Sequence, residues 1–350
     1  MRVFSKKYLP LAKAAGKYVQ SWITRKRSPL YAGLFITQRC NLRCVYCFPD
    51  SPRRQKEQEF SKEEIFRIAD ELYRLGTRYI TILGGEPLMR ADFGEIVDYI
   101  SEKGIILETG TNGYFTARNL DALKKLSLVC HSIDGCETEH DKNRGKGSYK
   151  KVVESIELCV ANKIPIQLRA VFTRNNAGSL EYLLDLAEKY GTSLGLAEQA
   201  VVRPEDAAYA MTQDELRAFW KKVRRYKAEG RPVDKSFALL DKIIEYPTGP
   251  DLDKIFTRDE TPPDGYERLK CNLSGGYMFL DSDGMLYPCA RLFGKFGRSI
   301  YDAGGIKGAW EHLSQNDCFL CRQSVQDLKS YFFSHDLQAL GVVVSNFLRK

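Results

Sequence analysis

The segment Cys40-Asn-Leu-Arg-Cys44-Val-Tyr-Cys47 sets three thiols on one short stretch at a C-x3-C-x2-C spacing. Three thiolates on one loop can bind three irons of a cubane and leave the fourth iron open, whereas an electron-transfer cluster usually takes four cysteines. An open iron can bind and activate a ligand. The competing readings are a zinc knuckle short of one ligand and a fortuitous spacing. A second constellation comprises Cys271, Cys289, Cys318 and Cys321, with Cys318-x2-Cys321 as its closing pair. Gly284, in Asp281-Ser-Asp-Gly284, marks a hairpin turn between the first two of these. Four thiolates suit a cluster with no open iron or a structural zinc ribbon. Cys130 and Cys159 fall in apolar strand and helix patterns and read as core, while Cys136 follows Ser132-Ile133-Asp134-Gly135 at the rim of the predicted site. A hydrogen-atom donor at Cys136 is conceivable, beside the blander reading of a bystander thiol. None of the four histidines (His131, His140, His312, His335) sits at zinc-ligand spacing beside a cysteine.

These residues need elements to position them. From residue 33 to about 200, short apolar runs alternate with helical periodicity. Strands are predicted at 33–38, 78–83, 105–109, 127–133, 165–173 and 193–199. A helix opens at the capping box of Ser61 and Glu64, with Ile65, Ile68, Ala69, Leu72 and Leu75 on one face. Further helices fit 91–103, 116–126, 147–162 and 179–190. Six such alternations imply parallel strands with right-handed crossovers, an α/β fold of the partial (β/α)6 TIM-like barrel type. Chemistry in such folds lies at the C-terminal ends of the strands. Gly84-Gly85-Glu86-Pro87, Thr111-Asn112-Gly113 and Ser132-Ile133-Asp134-Gly135 each fall at such an end, as does the first cysteine cluster. Alone, the first is also a tight turn, Ser132 and Asp134 are also loop caps, and Arg169 is also an ordinary ion-pair partner.

Taken together, residues 33 to about 330 resemble the radical S-adenosylmethionine superfamily. The cysteine spacing, the aromatic Tyr46 before the third cysteine and the Gly84–Pro87 element carry the resemblance. It implies a [4Fe–4S] cluster on Cys40, Cys44 and Cys47, whose open iron chelates S-adenosylmethionine. One electron then breaks the cofactor's sulfonium bond to give a 5′-deoxyadenosyl radical. By the same resemblance Tyr46, Thr111 and Asn112 line the cofactor, and Gly84, Gly85, Glu86 and Pro87 grip its amino group. Glycines allow close backbone approach there, and a carboxylate complements an ammonium. Ser132 and Asp134 are placed near the ribose or carboxylate, and Arg169 could contact the carboxylate.

The second cysteine set resembles the twitch module, a truncated SPASM domain, because no cysteine follows Cys321. One auxiliary [4Fe–4S] cluster is expected, accepting the electron when a substrate radical is oxidised. The implied division is a basic segment at 1–30, the barrel at 31–204, a helical linker at 205–265, the twitch-type module at 266–330 and an apolar tail at 331–350. Within the linker, Thr212 and Glu215 form a second capping box that starts a helix at 212–229.

The chain has 350 residues, 43% hydrophobic and 28% charged, with a net charge of +8. No apolar run is long enough to span a bilayer and no secretory signal is evident, which points to the cytoplasm. Residues 1–49 hold ten basic side chains and no acid, so the remaining residues carry 43 basic against 45 acidic groups. Basic character confined to one end argues against a nucleic-acid partner. Phe4, Tyr8, Leu11, Ala15, Tyr18 and Trp22 recur at helical spacing among lysines. Such a helix could pack on the barrel, touch a membrane peripherally through residues 1–27, or dock an acidic electron donor such as flavodoxin or ferredoxin. The short stretch before the barrel cannot form a leader-binding domain, which favours a small-molecule or lipid-linked substrate over a peptide. A non-catalytic iron–sulfur electron carrier is the rival without enzyme activity.

Overall fold

The computed structural model describes residues 9–24, 27–47, 59–201, 204–246, 273–294 and 296–315. Six strands run in parallel and in chain order: β1 (Tyr31–Phe35), β2 (Tyr79–Leu83), β3 (Ile106–Thr111), β4 (Leu128–Ser132), β5 (Ile166–Phe172) and β6 (Leu194–Glu198). They form an open sheet, not a closed barrel. Helices α2 (Lys62–Leu75), α3 (Phe93–Glu102), α4 (Leu120–Leu123), α5 (Glu137–Arg144), α6 (Ser148–Ala161) and α7 (Leu180–Lys189) fill the crossovers, after α1 (Leu9–Thr24). The predicted capping box at Ser61 forms in full, and Gly76 stops α2 in the left-handed region. The helix read at 116–126 is a 3-10 turn at Ala117–Asn119 and then the single turn of α4.

Side-chain alternation sorts the two faces of the sheet. Ala32, Leu34, Ile80, Ile82, Leu107 and Val129 bury outward against Ile65, Leu72, Phe93 and Ile96 of α2 and α3. Leu168, Ala170, Phe172, Leu194 and Leu196 do the same against α6 and α7. Residues paired across the other face are largely polar: Thr81 with Glu108, Cys130 with Gln167 and Ser132 with Arg169. Polar groups on one face of a parallel strand are expected where that face lines a site rather than a core.

Two stretches depart from the sequence reading. The linker contributes α8 (Gln213–Ala228), started by the Thr212 capping box, and α9 (Phe237–Glu245), capped by Ser236. Leu216, Phe219, Trp220, Val223, Leu239 and Leu240 bury in the same core as β5 and β6, so this stretch packs as part of the α/β body. The charged and proline-bearing composition hid the apolar face of α9. Farther on, β7 (Tyr277–Leu280) pairs parallel with β1 and continues the sheet through β8 (Met285–Tyr287) and β9 (Arg298–Ser299), before α10 (Gly305–Leu313). The expected hairpin turn is present, with Gly284 at φ +87°. Cys271, Cys318, Cys321, the tail at 331–350 and Phe4 and Tyr8 lie outside the described residues.

Helix α1 runs beside the loops that precede β2 and β3: Lys17 approaches Gly76, and Lys13 approaches Gly104. Its stripe differs from the expected one. Ala15 is exposed, as are Val19 and Ile23, while Tyr18 is half-buried. Among the described residues no helix is long and apolar enough to cross a membrane.

Candidate active site

The cysteine loop leaves β1 and turns back between the ends of β2, β3 and β4. The Cys40, Cys44 and Cys47 side chains are half-buried. The loop is held by its own backbone, with Cys47 N–H on the Cys44 carbonyl at 3.1 Å and Leu42 N–H on Cys40 Sγ at 3.4 Å. Burial pushes the Cys40 thiol up to about 12 and the Cys44 thiol up to about 11, and the thiols raise one another. Such groups surrender their protons only to a strongly positive centre, so metal binding here expels protons. Among the described residues no three His, Cys, Asp or Glu side chains converge on one point that could hold a single ion.

The Gly84–Pro87 turn is braced directly against this loop. Gly85 N–H donates to the Thr37 carbonyl at 2.9 Å, and Glu86 N–H to the Arg39 carbonyl at 2.8 Å. A Cβ on Gly85 would stand 2.5 Å from the Arg39 oxygen, and one on Gly84 2.8 Å from the Thr37 oxygen. The glycines therefore permit close approach to the cysteine-loop backbone. Pro87 begins a 3-10 turn for which Glu86 is the cap, accepting from Leu88 N–H at 3.2 Å. The Glu86 carboxyl also accepts from Thr111 Oγ1 at 3.0 Å and from Asn112 N–H at 2.7 Å. Burial raises it to about 7, against the pull of those hydrogen bonds. Asn112 turns its side chain to Asn41 Oδ1 at 2.9 Å and lies 3.9 Å from Cys40 Sγ.

On the other flank, Asp134 is fully buried and accepts from Arg144 through both oxygens, at 2.8 and 3.0 Å. Tyr46 also donates its hydroxyl to Asp134. Ser132 faces Arg169 across β4 and β5. Arg169 reaches away from that level, donating to Gln167 at 2.9 Å and lying 3.5 Å from Glu108. The Cys136 thiol hydrogen-bonds Glu139, one turn along α5, and its N–H bonds Ser179 at the head of α7. Cys289 is half-buried at the end of β8, where a 3-10 turn begins. The structure thus gathers Cys40, Cys44, Cys47, Tyr46, Gly84–Pro87, Thr111, Asn112 and Asp134 into one hydrogen-bonded unit.

Sequence reasoning missed several members. Gln38 donates to Asp281 at 2.6 Å, both fully buried, and so ties the cysteine loop to the β7–β8 turn. Glu59 accepts from Thr37 and from Gln38 N–H, each at 2.7 Å. On the inner face, Glu108 accepts from Tyr31 at 3.0 Å, Tyr79 at 2.5 Å and Thr81 at 2.6 Å. The available signal was alternation: Tyr79 and Thr81, then Gln167 and Arg169, stand at every second position of otherwise apolar strands.

Comparison with known proteins agrees with this arrangement. The radical SAM superfamily profile matches residues 34–187. Fe-coproporphyrin III synthase of Methanosarcina barkeri is 34% identical over 158 residues, 44% of this chain and 40% of that one. Mycofactocin maturase MftC of Mycolicibacterium smegmatis is 36% identical over 287 residues, 79% of this chain and 69% of that protein. The chain thus spans less than half of the first relative and about two thirds of the second. Among solved structures, Streptococcus suis SuiB bound to precursor peptide SuiA shares the fold, with a TM-score of 0.64 at 16% identity over 88% of this chain and 70% of that one.

Proposed function

The chain belongs to the radical SAM superfamily, whose members use S-adenosylmethionine and a [4Fe–4S] cluster, and from that premise we propose a peptide-modifying enzyme that abstracts a substrate hydrogen and oxidises the resulting radical. The observation that carries the reading is the unit built around the half-buried Cys40, Cys44 and Cys47, braced on one side by Gly84–Pro87 and on the other by Asp134. When bound, the cluster and S-adenosylmethionine supply one-electron cleavage of the sulfonium carbon–sulfur bond. Cys40, Cys44 and Cys47 would hold three irons. Glu86 would bind the amino group, the ammonium favouring the ionised carboxyl. Thr111 and Asn112 fix Glu86 in place, and Ser132 would meet the carboxylate or ribose, joined by Arg169 were it to leave Glu108. Cys289, with Cys271, Cys318 and Cys321, would hold the auxiliary cluster, which would take the substrate's electron. A flavodoxin- or ferredoxin-type protein supplies the first electron.

The peptide reading rests on the 36% identity to a maturase over 79% of this chain; a small-molecule substrate stands as the second reading, on the 28% identity to a GTP 3',8-cyclase over 81% of this chain. Anaerobic reconstitution followed by an assay for 5′-deoxyadenosine, with Cys44→Ala as control, tests the core of the proposal. Product that depends on Cys44 supports it. A fully iron-loaded and reduced sample that binds S-adenosylmethionine without forming 5′-deoxyadenosine, with or without candidate peptides, overturns it.

A further inference from the structure

Helix α5 is the least apolar helix of the sheet's crossovers, Glu-Thr-Glu-His-Asp-Lys-Asn-Arg, yet His140, Asn143 and Arg144 are buried. Burial of such groups is costly unless each is paired. Their partners lie on the cysteine loop and in the loops that follow β4 and β5. Asn143 accepts Val45 N–H on its carbonyl at 2.9 Å. His140 Nδ1 accepts Asp134 N–H at 3.1 Å. Asn176, beyond β5, donates to the Asp134 carbonyl at 2.7 Å. Four donors fill the Asp134 carboxylate: Arg144 Nε and Nη2, the Tyr46 hydroxyl and Val171 N–H at 3.2 Å. A carboxylate offers about four lone-pair sites, so this one has no vacancy for a ligand.

The placement of Tyr46 gives the arrangement its meaning. It lies between Cys44 and Cys47, so fixing its hydroxyl fixes both flanking thiols. The Arg144 guanidinium lies 5.4 Å from the centroid of the Tyr46 ring, a cation–π distance, and so stands beside the segment that runs from Cys44 to Cys47. Its own charge is balanced by Asp134, which the Tyr46 hydroxyl of the loop also reaches. An ion pair buried this deeply contributes little net stability compared with an apolar pair of the same size. What it does provide is a fixed geometry that holds a positive charge over the ring between Cys44 and Cys47.

We propose that Asp134 and Arg144 are positioning residues for the [4Fe–4S] cluster, Asp134 holding the loop by Tyr46 and Arg144 setting the cluster's reduction potential through its charge over the Tyr46 ring, between Cys44 and Cys47. This rests on the functional reading above and adds a role to residues that the reading leaves beside the cofactor. A positive charge close to the thiolates favours the reduced, more negative cluster, so Arg144 eases the electron's arrival. Tyr46 carries position without charge.

The test uses full-length protein reconstituted anaerobically, comparing the parent with Arg144→Gln, Arg144→Lys, Asp134→Asn/Arg144→Gln and Tyr46→Phe. Three quantities are read: cluster midpoint potential by EPR-monitored titration, iron release to a chelator, and S-adenosylmethionine affinity. Arg144→Gln is expected to move the midpoint to a more negative value, with Arg144→Lys restoring most of it. The neutral double variant keeps the packing, and its midpoint should lie between those of Arg144→Gln and the parent. Tyr46→Phe is expected to speed iron release roughly tenfold, the worth of one charge-assisted hydrogen bond, with the midpoint little changed. Unchanged midpoints and release rates across the set overturn the proposal. So does a loss of S-adenosylmethionine affinity alone, which would make Arg144 a cofactor ligand. If the parent itself assembles no [4Fe–4S] cluster, the functional reading has failed, and the clamp with it.

Discussion

Gly85→Ala separates two reasons for a glycine in the Gly84–Pro87 turn. A Cβ at this position meets the Arg39 oxygen at 2.5 Å, the Arg39 carbonyl carbon at 2.7 Å and the Gln38 oxygen at 2.7 Å. All three are backbone atoms of the segment entering Cys40, so no flexible side chain can yield. The turn or the cysteine loop must shift by several tenths of an ångström. Such overpacking costs about 1–3 kcal/mol. The shift also stretches two backbone hydrogen bonds, Gly85 N–H to Thr37 and Glu86 N–H to Arg39, each worth about 1 kcal/mol. The sum is about 3–5 kcal/mol, which at roughly 1–2 °C per kcal/mol for a chain of this length lowers the melting temperature by about 3–10 °C. Because the displaced segment leads into Cys40, iron loading should fall even with no S-adenosylmethionine present. The assay is iron content and thermal melting of the reconstituted variant, followed by cofactor affinity. A Gly85→Ala protein with parental iron content and stability, but weakened S-adenosylmethionine binding, would refute the packing argument and return the glycine to the cofactor.

Acid should unfold the metal-free protein through two histidines. Burial lowers His131 and His140 to about 4, whereas an unfolded chain holds histidine near ~6.5. Their contribution is complete above pH ~6.5 and is lost as pH falls toward 4, at up to about 1.4 kcal/mol per histidine per pH unit. Urea midpoints that fail to drop between pH 7 and 5, or drop equally in His140→Gln, contradict this. Glu86 acts in the opposite sense: raised by burial to about 7, it contributes below ~4.5 and the contribution disappears as pH rises through 7. Glu86→Gln should flatten that limb of the metal-free protein's stability profile, and an unaltered slope would show that Glu86 does not hold a proton there. Gln38→Leu should destabilise by about 1–3 kcal/mol because Asp281 then loses a buried partner, while Gln38→Leu/Asp281→Leu recovers part of the loss in urea melts. Cys136→Ser should keep parental iron content and 5′-deoxyadenosine formation, since its thiol bonds Glu139; loss of either would give Cys136 a part in the site.

The strands were legible because a buried parallel strand has to be a short apolar run, and four of the six runs match the observed bounds to within one residue at each end. The β1 run was read two residues late, because Tyr31 and Ala32 lie before its most apolar stretch. The run of β3 was cut short, at residue 109, by polar Thr109 and Thr111, which extended pairing accommodates. Both capping boxes formed as read, since the reciprocal Ser61–Glu64 and Thr212–Glu215 bonds need nothing beyond three intervening residues. Helix α5 was missed for the converse reason. It has no apolar stripe, and its buried residues are polar groups whose partners stand on the cysteine loop and in the loops after β4 and β5.

Local chemistry therefore determined the cysteine set, the alternation of strand and helix and the location of motifs at strand ends. These follow from spacing and periodicity, which a chain carries without folding. Tertiary structure decided which groups are spent on one another. Gly84 and Gly85 serve a neighbouring backbone, Asp134 is saturated by Tyr46 and Arg144, and β7 joins the edge of β1 more than two hundred residues away along the sequence. A hydrogen bond or a strand pairing needs two surfaces in register, and only the folded sheet brings them together.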